Sequence, residues 1–215
     1  MIGNVIKPKS GNVEYPLVLT ENEFIDVLNQ GIYTYNLLGH RVTLNNSQNN
    51  SEGNPVWIIA DVNHDSANTG QTNCYDLMAV GAVQTYRESF SGQSWRNSTT
   101  RTWLNSTYLN GFSSALQSHI INMKYNSNGS WYTDDKIILP SLKEMVGSSY
   151  QNMTFTEGEI YPVSVYPKRW ANGNLSYCML RTTENAGSRV WIIDNSPLSL
   201  ITNDIGHLSP LFRVQ

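Results

Sequence analysis

Charge is scarce in this chain. Only 14% of its 215 residues are Asp, Glu, Lys or Arg, against roughly a quarter in ordinary soluble domains, so long helices braced by surface ion pairs are not expected. The formal net charge is -3 and no Lys/Arg run occurs. That excludes nucleic acid as an expected partner, because phosphate binding is driven by cations that displace counterions. Cysteine is equally sparse. Cys74 and Cys178 stand far apart and form no CxxC unit, which argues against a disulfide framework or a zinc site and leaves both as small buried hydrophobes. No apolar run approaches the ~20 residues that span a bilayer, and the opening MIGNVIKPKSG lacks the apolar centre of a signal peptide. The expectation is a chain folded in a cytosol with no membrane partner. Catalytic signatures are missing too: there is no G-x-S-x-G, H-E-x-x-H, P-loop or GxGxxG unit. His40, His64, His119 and His207 have no His, Cys or Glu at metal-ligand spacing, so an enzyme is not expected.

The polarity that charge does not supply comes from Asn, Ser, Thr, Gly and Tyr, a composition of turns and hydrogen-bonding loops. The length suffices for one buried core. We divide the chain into an N-terminal arm with a short helix, 1–31, and a body, 32–215. Lys7-Pro8-Lys9 and Tyr15-Pro16 keep 1–19 extended. Thr20 and Glu23 form a capping box ahead of Phe24, Val27 and Leu28, and Gly31 ends that helix. Residues 33–44 read as a hairpin turning at Gly39, and 45–54 as an Asn-rich loop. Val56-Trp57-Ile58-Ile59-Ala60 is a strand apolar on both faces. From Thr99, helical spacing puts Trp103, Leu104 and Tyr108 on one face and Gly111 interrupts it. A second helical piece then turns Leu116, His119 and Ile120 inward. Residues 136–140 form another buried strand, and Ser141 with Glu144 caps a brief helix. Tyr150, Phe155, Tyr161, Tyr166 and Trp170 pin a long ordered loop over 148–175. Strands at 177–181, 189–194 and 211–214 close the chain.

The order of these segments carries more than any one of them. A WIIAD strand containing Trp57 is followed by R-T-W-L-N (Arg101, Trp103, Leu104, Asn105) and by D-K-I-I-L-P-S-L-K-E (Asp135, Lys136, Leu139, Ser141, Glu144). Then come L-R-T (Leu180, Arg181, Thr182) and P-L-F-R-V (Pro210, Phe212, Arg213). The series resembles DUF6273, a family of uncharacterised domains common in phages, prophages and Firmicutes, over about residues 55–215. Tyr177-Cys178-Met179 stands where that family carries an aromatic pair, and Thr182-Thr183 where it carries Ser-Pro. The family is in turn similar to the C-type-lectin-like fold of formylglycine-generating enzymes and retroelement variable proteins. The resemblance therefore implies an α+β, C-type-lectin-like fold, with short helices packed on small antiparallel sheets and long ordered loops. Physics gives the motif residues scaffold roles. Trp103 and Leu104 are core knobs, Asn105 ties a neighbouring turn, and Arg181 forks onto a carboxylate, Asp135 or Glu144.

Two segments bear on cations. Asp61-Val62-Asn63-His64-Asp65 opens like a calcium loop, but Ser66 replaces its turn glycine and Thr72 stands where a bidentate Glu is needed. Glu184-Asn185 and Asp194-Asn195 resemble the carboxylate-amide pairs of sugar-binding lectins without their Glu-Pro-Asn and Trp-Asn-Asp forms. The expectation is no cofactor, with calcium the one candidate. Aromatic loops rich in small polar residues suit binding, since Tyr and Trp give contact area at low entropic cost. Tyr150, Tyr166, Trp170, Asn185, Asp194 and Asn195 are the expected ligand contacts. With the phage context that the resemblance implies, the expected function is a homo-oligomeric virion protein (capsid decoration, head fibre or tail-tip component) attached to other virion proteins through its arm. The alternatives are a receptor- or carbohydrate-binding protein directed at cell-surface glycan, and a degenerate enzyme of the formylglycine-generating type.

Overall fold

A strand apolar on both faces needs cover on both, and the fold is built around that need. The computed structural model describes residues 18–49, 55–80, 83–87, 95–127, 129–146, 149–150, 153–154, 157, 161, 178–183, 190–193, 199–201 and 205–215. In chain order its first strands are β1 (Val18–Thr20), β2 (Arg41–Thr43), β3 (Val56–Val62), β4 (Tyr75–Val80), β5 (Gln84–Arg87), β6 (Ile120–Ile121), β7 (Met123–Ser127) and β8 (Ser130–Asp135). They are followed by β9 (Ile137–Ile138), β10 (Ser149–Tyr150), β11 (Met153–Thr154), β12 (Cys178–Thr183), β13 (Val190–Ile193), β14 (Ser199–Ile201), β15 (Ile205–Leu208) and β16 (Leu211–Val214). The helices are short: α1 (Glu21–Asn29), α2 (Ser66–Thr69), α3 (Thr99–Trp103), α4 (Ser114–Gln117) and α5 (Leu142–Val146). The class is α+β, as expected.

A seven-stranded sheet runs β1-β2-β3-β4-β16-β6, with β9 also on β16 beside β6; β1 lies parallel to β2 and the other pairs are antiparallel. The C-terminal strand thus sits inside the sheet. A five-stranded sheet runs β14-β13-β12-β15-β5, and β7–β8 and β10–β11 form separate two-stranded ribbons. The large sheets share one seam. Ala79 N–H donates to Pro210 O and Val83 N–H to Leu208 O, both at 2.9 Å, so β4–β5 and β15–β16 run alongside each other from one sheet into the next. Pro210 has no N–H to continue the ladder.

α1 forms where the capping box places it. Thr20 Oγ1 accepts from Glu23 N–H, and the Glu23 carboxylate accepts from Thr20 N–H at 2.8 Å. Phe24 and Leu28 face the core, where Phe24 meets Tyr75 with ring centroids 6.3 Å apart. Of the expected arm, 1–31, residues 1–17 lie outside the described residues. On the same face of the sheet Trp57, opposite Ala79, packs on Phe112 and Phe212, at 5.9 and 4.8 Å between centroids. α3 continues into a π-helical turn, Leu104–Tyr108, and a 3-10 turn, Leu109–Gly111. From the widened turn Asn105 Nδ2 donates to Arg101 O and Ile137 O, while its Oδ1 accepts from Lys136 N–H at 2.7 Å and Ile137 N–H at 3.0 Å.

Some expectations need correction. Residues 33–44 do not form a hairpin. Tyr75 Oη accepts from Thr34 N–H and donates to Ile32 O, which takes the groups a first arm would pair with, and 35–37 coils into a 3-10 turn. Gly39 does turn the chain at φ 81°, but delivers β2 to β3 through Gly39 N–H to Ile59 O at 2.9 Å. The strand at 136–140 shrinks to β9. His119 is only half-buried, hydrogen-bonded through Nδ1 to Gln215 O at 2.8 Å. The C-terminal region has β14 and β15 in addition to the three expected strands.

Candidate functional site

The strongest electrostatic feature is internal. Three arginines from three segments each meet a buried carboxylate. Arg213 in β16 forks onto Asp76 in β4, Nε to Oδ1 at 2.6 Å and an Nη to Oδ2 at 2.8 Å. Arg181 in β12 forks onto Glu144 in α5 at 2.7 and 2.5 Å, and also donates to Leu139 O at 2.8 Å. Arg101 in α3 reaches Asp135 at the end of β8, Nε to Oδ2 at 2.9 Å. Asp76, Arg181 and Asp135 are fully buried and Arg213 is 1% exposed. Burial works against the charge of each guanidinium, yet the facing carboxylate outweighs it and raises the pKa. Removing one partner of such a pair costs about 3–5 kcal/mol, whereas an apolar replacement of both is often neutral, so the pairs fix geometry more than they add stability.

Aromatic hydroxyls join the pairs. Tyr161 Oη donates to Asp76 at 3.0 Å, and its N–H to Glu144 O at 3.1 Å. The Tyr125 hydroxyl donates to Asp135, where Trp95 Nε1 also points, 3.3 Å from Oδ2. Burial, then the Asp135 carboxylate, pushes the Tyr125 hydroxyl up to about 12. Arg96 and Arg101 both hold the exposed Asp134, which lowers its pKa through the Arg96 hydrogen bonds first.

The 61–65 segment does not converge on a cation. Asp61 accepts from Val62 N–H at 2.7 Å and meets His64 Nδ1 at 2.8 Å. Asn63 Oδ1 accepts from Cys74 N–H at 3.1 Å, and Asp65 Oδ1 accepts from Asn68 Nδ2. Asn63, Asp65 and Asn73 take left-handed backbone conformations, which Asn and Asp tolerate better than other side chains. His64 is 4% exposed and stacks on Tyr161 with centroids 3.8 Å apart; its Nε2 is buried without a hydrogen-bond partner. Burial lowers the pKa of His64, but the Asp61 hydrogen bond and the charges of Asp76 and Glu144 turn the net shift upward. Among the described residues no group of three His, Cys, Asp or Glu could hold a metal ion. The buried Cys74 thiol is pushed up to about 11, chiefly by burial.

The structure brings the expected scaffold residues together and chooses Glu144, not Asp135, for Arg181. Trp57, Leu104 and Phe212 are fully buried, Pro210 is buried, and Trp103 is only half-buried, packed on Tyr108 at 5.1 Å. Lys136 contributes its backbone N–H to Asn105. Of the expected ligand contacts, Tyr150 lies in β10 opposite Met153. Tyr166, Trp170, Asn185, Asp194 and Asn195 lie outside the described residues, as does Glu184. Sequence reasoning missed Asp76, Trp95 and Tyr125. Asp76 had a visible signal, a lone charge inside the apolar run YDLMAV.

Fold and site together define a mixed α+β domain of short helices and small sheets, cross-braced by buried arginine–carboxylate pairs. The chain belongs to the family described as a domain of unknown function, DUF6273, whose model matches residues 58–197. The match is shorter than the 55–215 suggested by the motifs and ends before β14, β15 and β16. No curated protein and no solved structure matches the chain.

Proposed function

We propose that this chain is a non-catalytic binding module of C-type-lectin-like architecture, carried on a tailed-phage virion as a decoration, head-fibre or tail-tip component. The observation that carries the reading is the internal use of its charged motif. Arg101, Arg181 and Arg213 are spent on Asp135, Glu144 and Asp76, so the residues that stand out in the sequence brace a frame. The last strand returning to the centre of the sheet fits a lectin-like frame that closes on itself. On this reading the protein forms a homo-oligomer attached through its N-terminal arm and short helix, 1–31, and presents its loops outward, with no cofactor. Mass spectrometry of purified particles tests it: the protein is expected at stoichiometric levels, and its absence from particles would end the proposal.

The enzyme alternative finds one favourable contact, Asp61 with His64, arranged as an acid orienting a base. Arg181 stands apart from it, paired with Glu144, and a Cys74 thiol raised to about 11 is the opposite of the thiolate that thiol chemistry needs.

A further inference from the structure

The β7–β8 ribbon is fastened through one face, and Trp131 on the other face is exposed. Tyr125 and Tyr132 face each other across it with ring centroids 5.8 Å apart. The Arg96 guanidinium lies 4.3 Å over the Tyr132 ring and that of Arg181 lies 5.4 Å over Tyr125. With the Tyr125 hydroxyl bound to Asp135, these contacts tie the ribbon to the buried ion pairs. Beside Tyr132, Trp131 is 43% exposed, whereas Trp57 and Trp95 are fully buried. Lys124 Nζ stands 5.4 Å from its ring and donates to Asn68 O at 3.1 Å, which holds the ammonium beside the indole. Thr133, which alternation along β8 puts on the same face as Trp131, is exposed and polar, while Asp134 turns to the other face and its two arginines.

A protein interface would need a contiguous apolar core around such an anchor. Trp131 has none on its strand. One flat aromatic ring in a polar rim suits instead a ligand with a small C–H face and hydroxyls around it, which is the shape of a pyranose. Its C–H bonds carry partial positive charge and meet the negative face of the indole, while the remaining Lys124 N–H donors reach a hydroxyl or carboxylate. We propose that Trp131 and Lys124 form a saccharide-stacking site on the β7–β8 ribbon. The inference rests on the reading of the chain as a binding module and gives that module a ligand class.

The test is a glycan array with the full chain, followed by calorimetric titration of the best saccharide into wild type, Trp131→Ala and Trp131→Phe. Because the ring is exposed, both variants keep the wild-type melting temperature. Trp131→Ala is expected to lose on the order of tenfold or more in affinity and Trp131→Phe to retain part of it. Unchanged affinity in Trp131→Ala overturns the site while leaving a binding module in place. A wild type that binds no saccharide overturns it as well, and so does a variant whose only change is in sedimentation, which would give the ring to a second copy of the chain. Particle composition decides the underlying reading independently of all three.

Discussion

His64 is held from several elements at once. Asp61 of β3 binds its Nδ1, Tyr161 stacks on its ring, Arg213 of β16 donates to its carbonyl at 3.0 Å, and Asp76 of β4 and Glu144 of α5 add their negative potential. The folded pKa is raised, so the stabilisation from protonating His64 is fully present below the unfolded value of about 6.5 and is lost as pH rises through the folded value. Comparing melting temperatures of wild type and His64→Gln across this range, the wild-type advantage is expected to shrink as pH rises above about 6.5; two parallel curves would refute the assignment. At this scale the sequence told half the story. Arg181 and Arg213 stand out because a guanidinium amid strand residues such as Met179, Leu180, Leu211 and Phe212 must find an anion. Which carboxylate answers depends on β4 lying against β16 and α5 against β12, and no local pattern encodes that.

Elements with a local cause were the legible ones. β3 announced itself as an uninterrupted apolar run and α1 through Thr20 and Glu23, since each signal acts within a few residues. The hairpin at Gly39 failed because a distant side chain, Tyr75, captured the backbone of 32–34. The π turn had no signature either, because Asn105 reaches β9 only after the chain has folded. Its four hydrogen bonds, two donated and two accepted, make Asn105 the clamp between that helix and β9. Asn105→Ala is expected to cost roughly 2–3 kcal/mol, since buried backbone groups lose their partners, and to speed hydrogen exchange at the Lys136 and Ile137 amides. Protection equal to wild type at those two amides would show that the clamp does not matter. Gly111 has a similar role by omission: a Cβ there would lie 2.0 Å from Asn46 Oδ1, and Ser47 N–H donates to Gly111 O at 3.0 Å.

For the whole molecule, the decisive feature is the position of β16. It pairs with β4 on one side and with β6 and β9 on the other, and Arg213 welds it to Asp76. A chain ending at Ser209 is therefore expected to lack a cooperative unfolding transition in urea, monitored by circular dichroism, whereas a wild-type-like transition would show that the sheet closes without its last strand. The seven-stranded order was not legible from the sequence, which marked 211–214 as a strand but could not assign it a central slot. Proline and arginine at 210 and 213 would suit an edge equally well by composition alone.

A polypeptide is made from its N-terminus at about 5–20 residues per second, so β3 and β4 wait for the much later β16 before the sheet can close. During that interval β4 and the β6–β9 side present unpaired N–H and C=O groups across an open gap, and the missing piece on any neighbouring nascent chain is an equally good fit. Crowded synthesis would thus favour exchanged dimers, and the yield of monomer should depend on how far apart the ribosomes are.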